Sequence, residues 1–245
     1  MPLSSDATFG GTGAAAPQRF FLGFFVTPSG ERLFDRVRLE AAADGGWRGD
    51  VLRLVSGRSE PERHLLTGRS RGDGFELELV SEDDGVRQRL AVAAETPDIE
   101  AGYLGVLEGL DDTPAPLPGC PYVLEEAPAV RLDRSPTHGW GTVAVRDIAR
   151  GAPVLVIRGP FSDVQTPYSF RSGDERHVEP TGYGHFVNHA CEPSCEIVYR
   201  EDARPELIAC RDLAAGSEIT FDYTATEGDL ANSFACRCPA TTHKV

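Results

Sequence analysis

The sequence predicts a mainly β fold of the α+β kind, and three observations carry that expectation. Short segments alternate apolar and polar residues with period two, most plainly Phe75-Glu76-Leu77-Glu78-Leu79, which sets three side chains on one buried face. Clusters of Gly and Asp (Asp44-Gly45-Gly46, Gly72-Asp73-Gly74, Asp83-Asp84-Gly85) punctuate these segments at hairpin intervals. In the second half a turn-then-strand phrase occurs twice. Asp147-Ile148-Ala149-Arg150-Gly151 precedes Val154–Ile157, and Arg211-Asp212-Leu213-Ala214-Ala215-Gly216 precedes Glu218–Phe221. At 40% hydrophobic and 25% charged residues the 245-residue chain has the composition of a globular protein with a core.

Read in order, residues 1–18 are rich in Ser, Gly, Ala and Pro and form a flexible arm. Residues 19–113 read as an all-β accessory domain, with strands around Phe20–Val26, Val51–Val55, Phe75–Leu79 and Leu90–Val92. Ile99, Tyr103, Val106, Leu107 and Leu110 recur at helical spacing, with Thr96 or Asp98 able to cap, so a closing helix is expected there. Pro114-Ala115-Pro116-Leu117-Pro118-Gly119 cannot continue a helix and holds the chain extended. Residues 114–119 are therefore the expected linker, with a second domain over 120–229 and a tail over 230–245.

Charge narrows the function. The net charge is −14, shared as 20 acidic residues against 12 Arg in residues 1–118, and 18 against 12 Lys/Arg in 119–245. Neither half offers the basic surface that direct nucleic-acid binding requires, whereas basic polypeptides would be attracted. No apolar run approaches the roughly 20 residues of a membrane helix. The segment before Phe20 has no base ahead of Arg19, unlike a signal peptide, so neither a membrane role nor export is expected and the location is read as cytoplasmic. Oligomeric state is not legible. Five of the six cysteines fall in the last 55 residues, including Cys236-Arg237-Cys238, a pattern that suggests metal or structure before disulfides in an unexported chain. Lys244 is the only lysine.

Four short motifs occur in sequence: Gly139-Trp140-Gly141, Asn188-His189-Ala190-Cys191-Glu192-Pro193, Ile219-Thr220-Phe221-Asp222-Tyr223, and Cys236-Arg237-Cys238. Each alone is weak, but the ordered set resembles the SET-domain protein-lysine methyltransferases, over about the last half of the chain from near Tyr122. The resemblance implies several small β-sheets with knot-like threading, which brings the Asn-His and Phe-Asp-Tyr segments to one site. It also implies transfer of methyl groups from S-adenosylmethionine to a lysine of a basic protein or peptide. A non-catalytic SET binding module, or a SET methyltransferase acting on a peptide or small amine, are the alternatives.

By that resemblance Gly139, Trp140 and Gly141 serve the methionine end of the co-substrate, since glycine admits close backbone approach. Asn188 and His189 bind the adenosyl part, through main chain and the Asn188 amide. Tyr168 lies near the co-substrate and Phe234 near the adenine. Tyr223 is the expected catalytic residue and also contacts the co-substrate, its hydroxyl aligning amine and methyl. Phe221 lines the substrate channel and favours di- or trimethylation over the tyrosine alternative. The tail departs from the family pattern, because His243 stands where the last zinc-binding cysteine is expected. Cys191, Cys236, Cys238 and His243 then form an acceptable tetrahedral Zn²⁺ set, with Cys195 as the alternative to His243.

Overall fold

The computed structural model describes residues 18–27, 29–55, 58–94, 102–110, 120–227 and 230–238. The arm expected at 1–18 lies outside them except for Gln18. Among the described residues there is no α-helix, and no helix long and apolar enough to cross a membrane.

Period-two alternation builds the first half into a closed, up-and-down antiparallel barrel. Its strands are β1 (Gln18–Val26), β2 (Arg32–Ala41), β3 (Trp47–Leu54), β4 (Glu62–Arg71), β5 (Gly74–Ser81), β6 (Arg87–Ala94), β7 (Gly102–Gly109) and β8 (Cys120–Glu126). Pairing of β1 with β8 closes it, from Phe21 opposite Glu126 to Phe25 opposite Tyr122. Closure leaves no unpaired edge. Phe21, Phe25, Leu33, Val37, Leu77, Leu90 and Leu107 fill the interior. Among them lies a buried ion pair in which Arg53 donates to both Asp35 carboxylate oxygens, at 2.8 and 2.9 Å. Arg53 also donates to Gln88, and the Tyr122 hydroxyl donates to Asp35. Asp35 and Arg53 are essentially without solvent; such a pair is tolerable because its remaining hydrogen-bonding capacity is used.

Two expectations are corrected here. The closing helix is strand β7: Leu107 faces the core while Leu104 and Val106 are exposed, which is strand alternation. Gly102, Gly105 and Gly109 would each cost a helix about 1 kcal/mol, whereas β6 and β8 offer ready pairing on both sides. Ile99 lies outside the described residues. The proline-rich linker also lies outside them, but Cys120–Glu126 beyond it is the barrel's eighth strand, so the boundary moves from 114–119 to after Glu126.

The second half is a set of small sheets. β9 (Val130–Ser135) and β10 (Gly139–Ala144) form a hairpin. β11 (Pro153–Val156), β12 (Phe161–Ser162), β13 (Phe170–Arg171) and β14 (His177–Val178) follow, then β15 (Asn188–His189), β16 (Cys195–Tyr199), β17 (Pro205–Ala209) and β18 (Thr220–Phe221). They group as β11-β17-β16, β12-β14-β13 and β15-β18. The last pair is parallel, with Asn188 opposite Thr220 and His189 opposite Phe221.

Barrel and C-terminal sheets share a core. The outer face of β1 and β2 contributes Leu22 and Phe34, with Phe24 beside them, to a cluster that includes Val130, Leu155, Tyr183 and Phe221. Polar contacts reinforce the seam. Buried Glu125 of β8 accepts from the Tyr183 N–H at 2.8 Å, and Arg32 of β2 pairs with Glu179.

Candidate active site

The parallel β15–β18 pair sets the frame, because it places Asn188-His189 directly beside Phe221 although some thirty residues separate them. β10 is drawn to the same place through a bridge between Val143 and Glu218 and an Ile219 N–H bond to the Thr142 carbonyl. Asn188 locks the junction: its amide nitrogen donates to the Trp140 carbonyl (3.0 Å) and to Glu218 Oε1 (2.7 Å). The other Glu218 oxygen accepts from the Ser135 hydroxyl at 3.0 Å. Gly141 sits beneath these side chains, where a Cβ would lie 2.5 Å from Glu218 Oε1 and 3.1 Å from the Asn188 nitrogen. Gly139 has φ +82°, a left-handed conformation suited to glycine. The Asn188 amide nitrogen is therefore committed within the protein, and Glu218 is the hub that holds two motifs together.

Tyr223 follows β18 in a 3-10 turn, Tyr223–Ala225, begun by the Asp222 carboxylate accepting from the Thr224 N–H. Its hydroxyl donates to the Val187 carbonyl at 2.8 Å. Burial raises its pKa, with Glu218 and Tyr168 adding to the shift, so it stays a neutral phenol at any physiological pH and cannot act as a general base. Around it the rings of Phe170 and Phe221 stack at 4.9 Å, Phe221 meets Tyr223 at 4.7 Å, and Phe234 lies 5.9 Å from Tyr223. These rings line a cleft with Tyr168, Val187, Glu227 and Asn232. Most of the wall is apolar, an environment that strips water from whatever enters.

A second cleft adjoins the first and runs along the seam with the barrel. Trp140, Tyr168, His185 and Phe186 form one side, and Arg32, Phe34, Leu54, Val55, Arg58 and Glu60 the other. Tyr168 and His185 line both clefts. They stack at 4.2 Å, and His185 stacks in turn on Phe34 of the barrel at 4.5 Å. Burial pushes the His185 pKa down to about 4, helped by nearby Arg32, so the imidazole is neutral at pH 7. Arg134 lies over the Trp140 ring at 4.3 Å and donates to the Ser59 carbonyl, tying the barrel loop to β9 and β10.

The His189 ring packs edge-on against Tyr223 and Phe234, behind the cleft those two rings line. The same side chain lies with Cys191, Cys236 and Cys238 in a group whose ligand atoms are all within 4.8 Å of one another. His189 Nε2 is 3.3 Å from Cys191 Sγ, and the Cys191 and Cys236 sulfurs are 3.6 Å apart. Ligands of a tetrahedral zinc with 2.3 Å Zn–S bonds sit about 3.8 Å apart, so the set fits such an ion with small adjustment. Burial pushes the Cys191 thiol up to about 12, with Cys236 and Cys238 adding to the shift. Donation from Cys238 pulls Cys236 down. His243 lies outside the described residues. Cys195 is buried in the core, donated to by the Ser194 hydroxyl, and is corrected from alternative ligand to core residue.

The structure thus gathers Gly139, Trp140, Gly141 and Asn188 at one junction, Tyr168, Phe221, Tyr223 and Phe234 around one cleft, and Cys191, Cys236 and Cys238 in one cluster. His189 joins that cluster by its side chain, which sequence reasoning missed. Its i, i+2 spacing to Cys191 on an extended segment was the available signal.

Residues 139–224 match the SET domain family model, and this part of the chain is a SET domain. The chain is similar to Histone-lysine N-methyltransferase 2B of Homo sapiens, 33% identical over 132 residues, covering 46% of this chain and 5% of that protein. It is also similar to an H3 lysine-4 specific histone-lysine N-methyltransferase of Yarrowia lipolytica, 30% identical over 132 residues, at 45% and 11%. A solved structure, the crystal structure of KRYPTONITE in complex with mCHH DNA, H3(1-15) peptide and SAH, is 27% identical over 45% of this chain and 28% of that one, with a TM-score of 0.37. The chain spans a small fraction of the length of these relatives.

Proposed function

We propose that the chain is an S-adenosylmethionine-dependent protein-lysine N-methyltransferase, with a structural zinc behind the site. The observation that carries this reading is the β15–β18 pair, which sets the Asn-His segment beside the Phe-Asp-Tyr segment while Asn188 holds Trp140 at the same junction. The relatives named above, called histone-lysine methyltransferases, support it. S-adenosylmethionine supplies an electrophilic methyl on a sulfonium. The amine lone pair forms the new N–C bond as the S–C bond breaks, leaving the sulfide.

What the chain contributes is alignment and dryness. Gly139 and Gly141 keep side chains away from the backbone that would meet the amino-acid end. Tyr223, a neutral phenol beside Phe221, offers oxygen to the polarised methyl and to the amine. A lysine with the usual pKa of about 10.4 is neutral roughly once in two thousand molecules at pH 7. The apolar wall and the sulfonium charge both favour loss of that proton to water before transfer. Phe221 leaves room for a methylated amine to turn, which favours di- and trimethylation. The net charge of −14 suits a basic protein or peptide substrate. Zinc would be held by Cys191, Cys236 and Cys238, with His189 the fourth group within reach, closing the tail so that Phe234 stays against Tyr223.

The test is methyl transfer from radiolabelled S-adenosylmethionine to cell extract and to lysine-rich peptides, with mass-spectrometric mapping of the product. Label on a lysine ε-nitrogen is expected. Tight co-substrate binding without transfer to any of these would replace the enzyme reading with that of a binding module.

A further inference from the structure

We propose that the β-barrel is a working part of the co-substrate site, with Arg58 taking the carboxylate of the amino-acid end. This rests on the methyltransferase reading. The seam cleft contains Trp140, assigned to the methionine end, and its opposite wall is barrel. Among the described residues, the SET side gives the cleft Trp140, Tyr168, His185 and Phe186, of which none carries a formal charge at pH 7 given the neutral imidazole. A carboxylate held there needs a cation, and among the described lining residues the cations, Arg32 and Arg58, come from the barrel, beside Glu31 and Glu60.

Arg32 is already engaged by Glu179, whose other oxygen accepts from the Thr166 hydroxyl. Arg134 is engaged by the Trp140 face and the Ser59 carbonyl. Arg58 instead pairs with Glu62 at 2.7 Å, with its side chain 59% exposed. An exposed pair of that kind is worth little and exchanges readily for a carboxylate held in a less polar cleft, where a bidentate guanidinium contact is stronger. The barrel's second contribution is the Phe34 ring, which backs the His185–Tyr168 stack dividing the two clefts.

The experiment compares two probes that share the adenosyl part. S-adenosylhomocysteine carries the amino-acid end, and 5′-methylthioadenosine lacks it. Affinities are measured by calorimetry on the full chain for wild type, Arg58→Ala, and the control Arg69→Ala, whose arginine pairs with Glu76 elsewhere on the barrel. The comparison is a double-difference that isolates the contact to the missing end. Arg58→Ala should weaken S-adenosylhomocysteine on the order of tenfold or more and leave methylthioadenosine within about twofold, with Arg69→Ala affecting neither. Unchanged S-adenosylhomocysteine affinity in Arg58→Ala, or equal loss for both probes, would overturn the proposal. If wild type binds neither probe, the methyltransferase reading itself falls, a result separable from the others because it appears before any substitution is made.

Discussion

Tyr223 is held by its own hydroxyl bond to the Val187 carbonyl, so Tyr223→Phe removes two things at once. The lost bond costs about 1 kcal/mol of stability. The lost oxygen removes the group proposed to align amine and methyl, and turnover should fall about 10²–10³-fold while S-adenosylhomocysteine affinity is kept. Phe221→Tyr adds an oxygen beside the amine and should move the product distribution toward monomethyl-lysine, read by mass spectrometry. Wild-type turnover in Tyr223→Phe would remove the mechanism's basis. At this scale the sequence marks candidate residues more readily than it tells what they touch. Asn188, His189, Phe221 and Tyr223 stand out because four motifs occur in order. That the Asn188 nitrogen is occupied by Trp140 and Glu218, or that the His189 ring turns to the cysteines, depends on a parallel pairing that no local pattern encodes.

Among the elements, the cysteine-bearing tail has the least packing of its own: of residues 230–238 only Cys236 is buried. Its order should therefore depend on metal. Protein purified without added metal is expected to contain about one zinc per chain, and a chelator should increase hydrogen exchange in 230–238 before the barrel opens. Substituting His243 by Ala should leave the zinc in place if His189 is the fourth ligand, whereas His189→Ala should release it; a tail that is ordered in metal-free protein would refute the site. Strands were legible where alternation was clean, as in Phe75–Leu79. β7 carries a helical signal because Tyr103, Val106, Leu107 and Leu110 fit that period, while Gly102, Gly105 and Gly109 oppose a helix and neighbouring strands decide the outcome. The barrel boundary is likewise decided by non-local pairing. A run of prolines marks an extended connection but does not say whether the strand beyond it returns to the same sheet.

At the scale of the whole molecule, Glu125 is a buried carboxyl at the seam between barrel and SET domain. Burial lifts its pKa from 4.5 to about 7, opposed by the Tyr183 N–H and by Arg158. A carboxyl raised on folding favours the protonated folded state. Its contribution is fully present below pH 4.5 and is lost as pH rises through about 7. Glu125→Gln cannot ionise yet still offers an oxygen to the Tyr183 N–H. The stability of this variant relative to wild type, from urea unfolding, should therefore rise by up to about 3 kcal/mol between pH 4 and pH 8. A difference that does not change with pH would mean that Glu125 ionises freely.

The outer face of β1 and β2 has one more consequence, for how the chain comes to be folded. The barrel closes when β8 reaches β1, so it can form on the ribosome before β15 and β18 have both been made. During that interval Leu22, Phe24 and Phe34, which later enter the shared core, lie bare on a finished surface. Exposed apolar surface on a partly folded chain invites self-association. Refolding yield should therefore fall with protein concentration, and the half-built molecule is the form that most needs a chaperone.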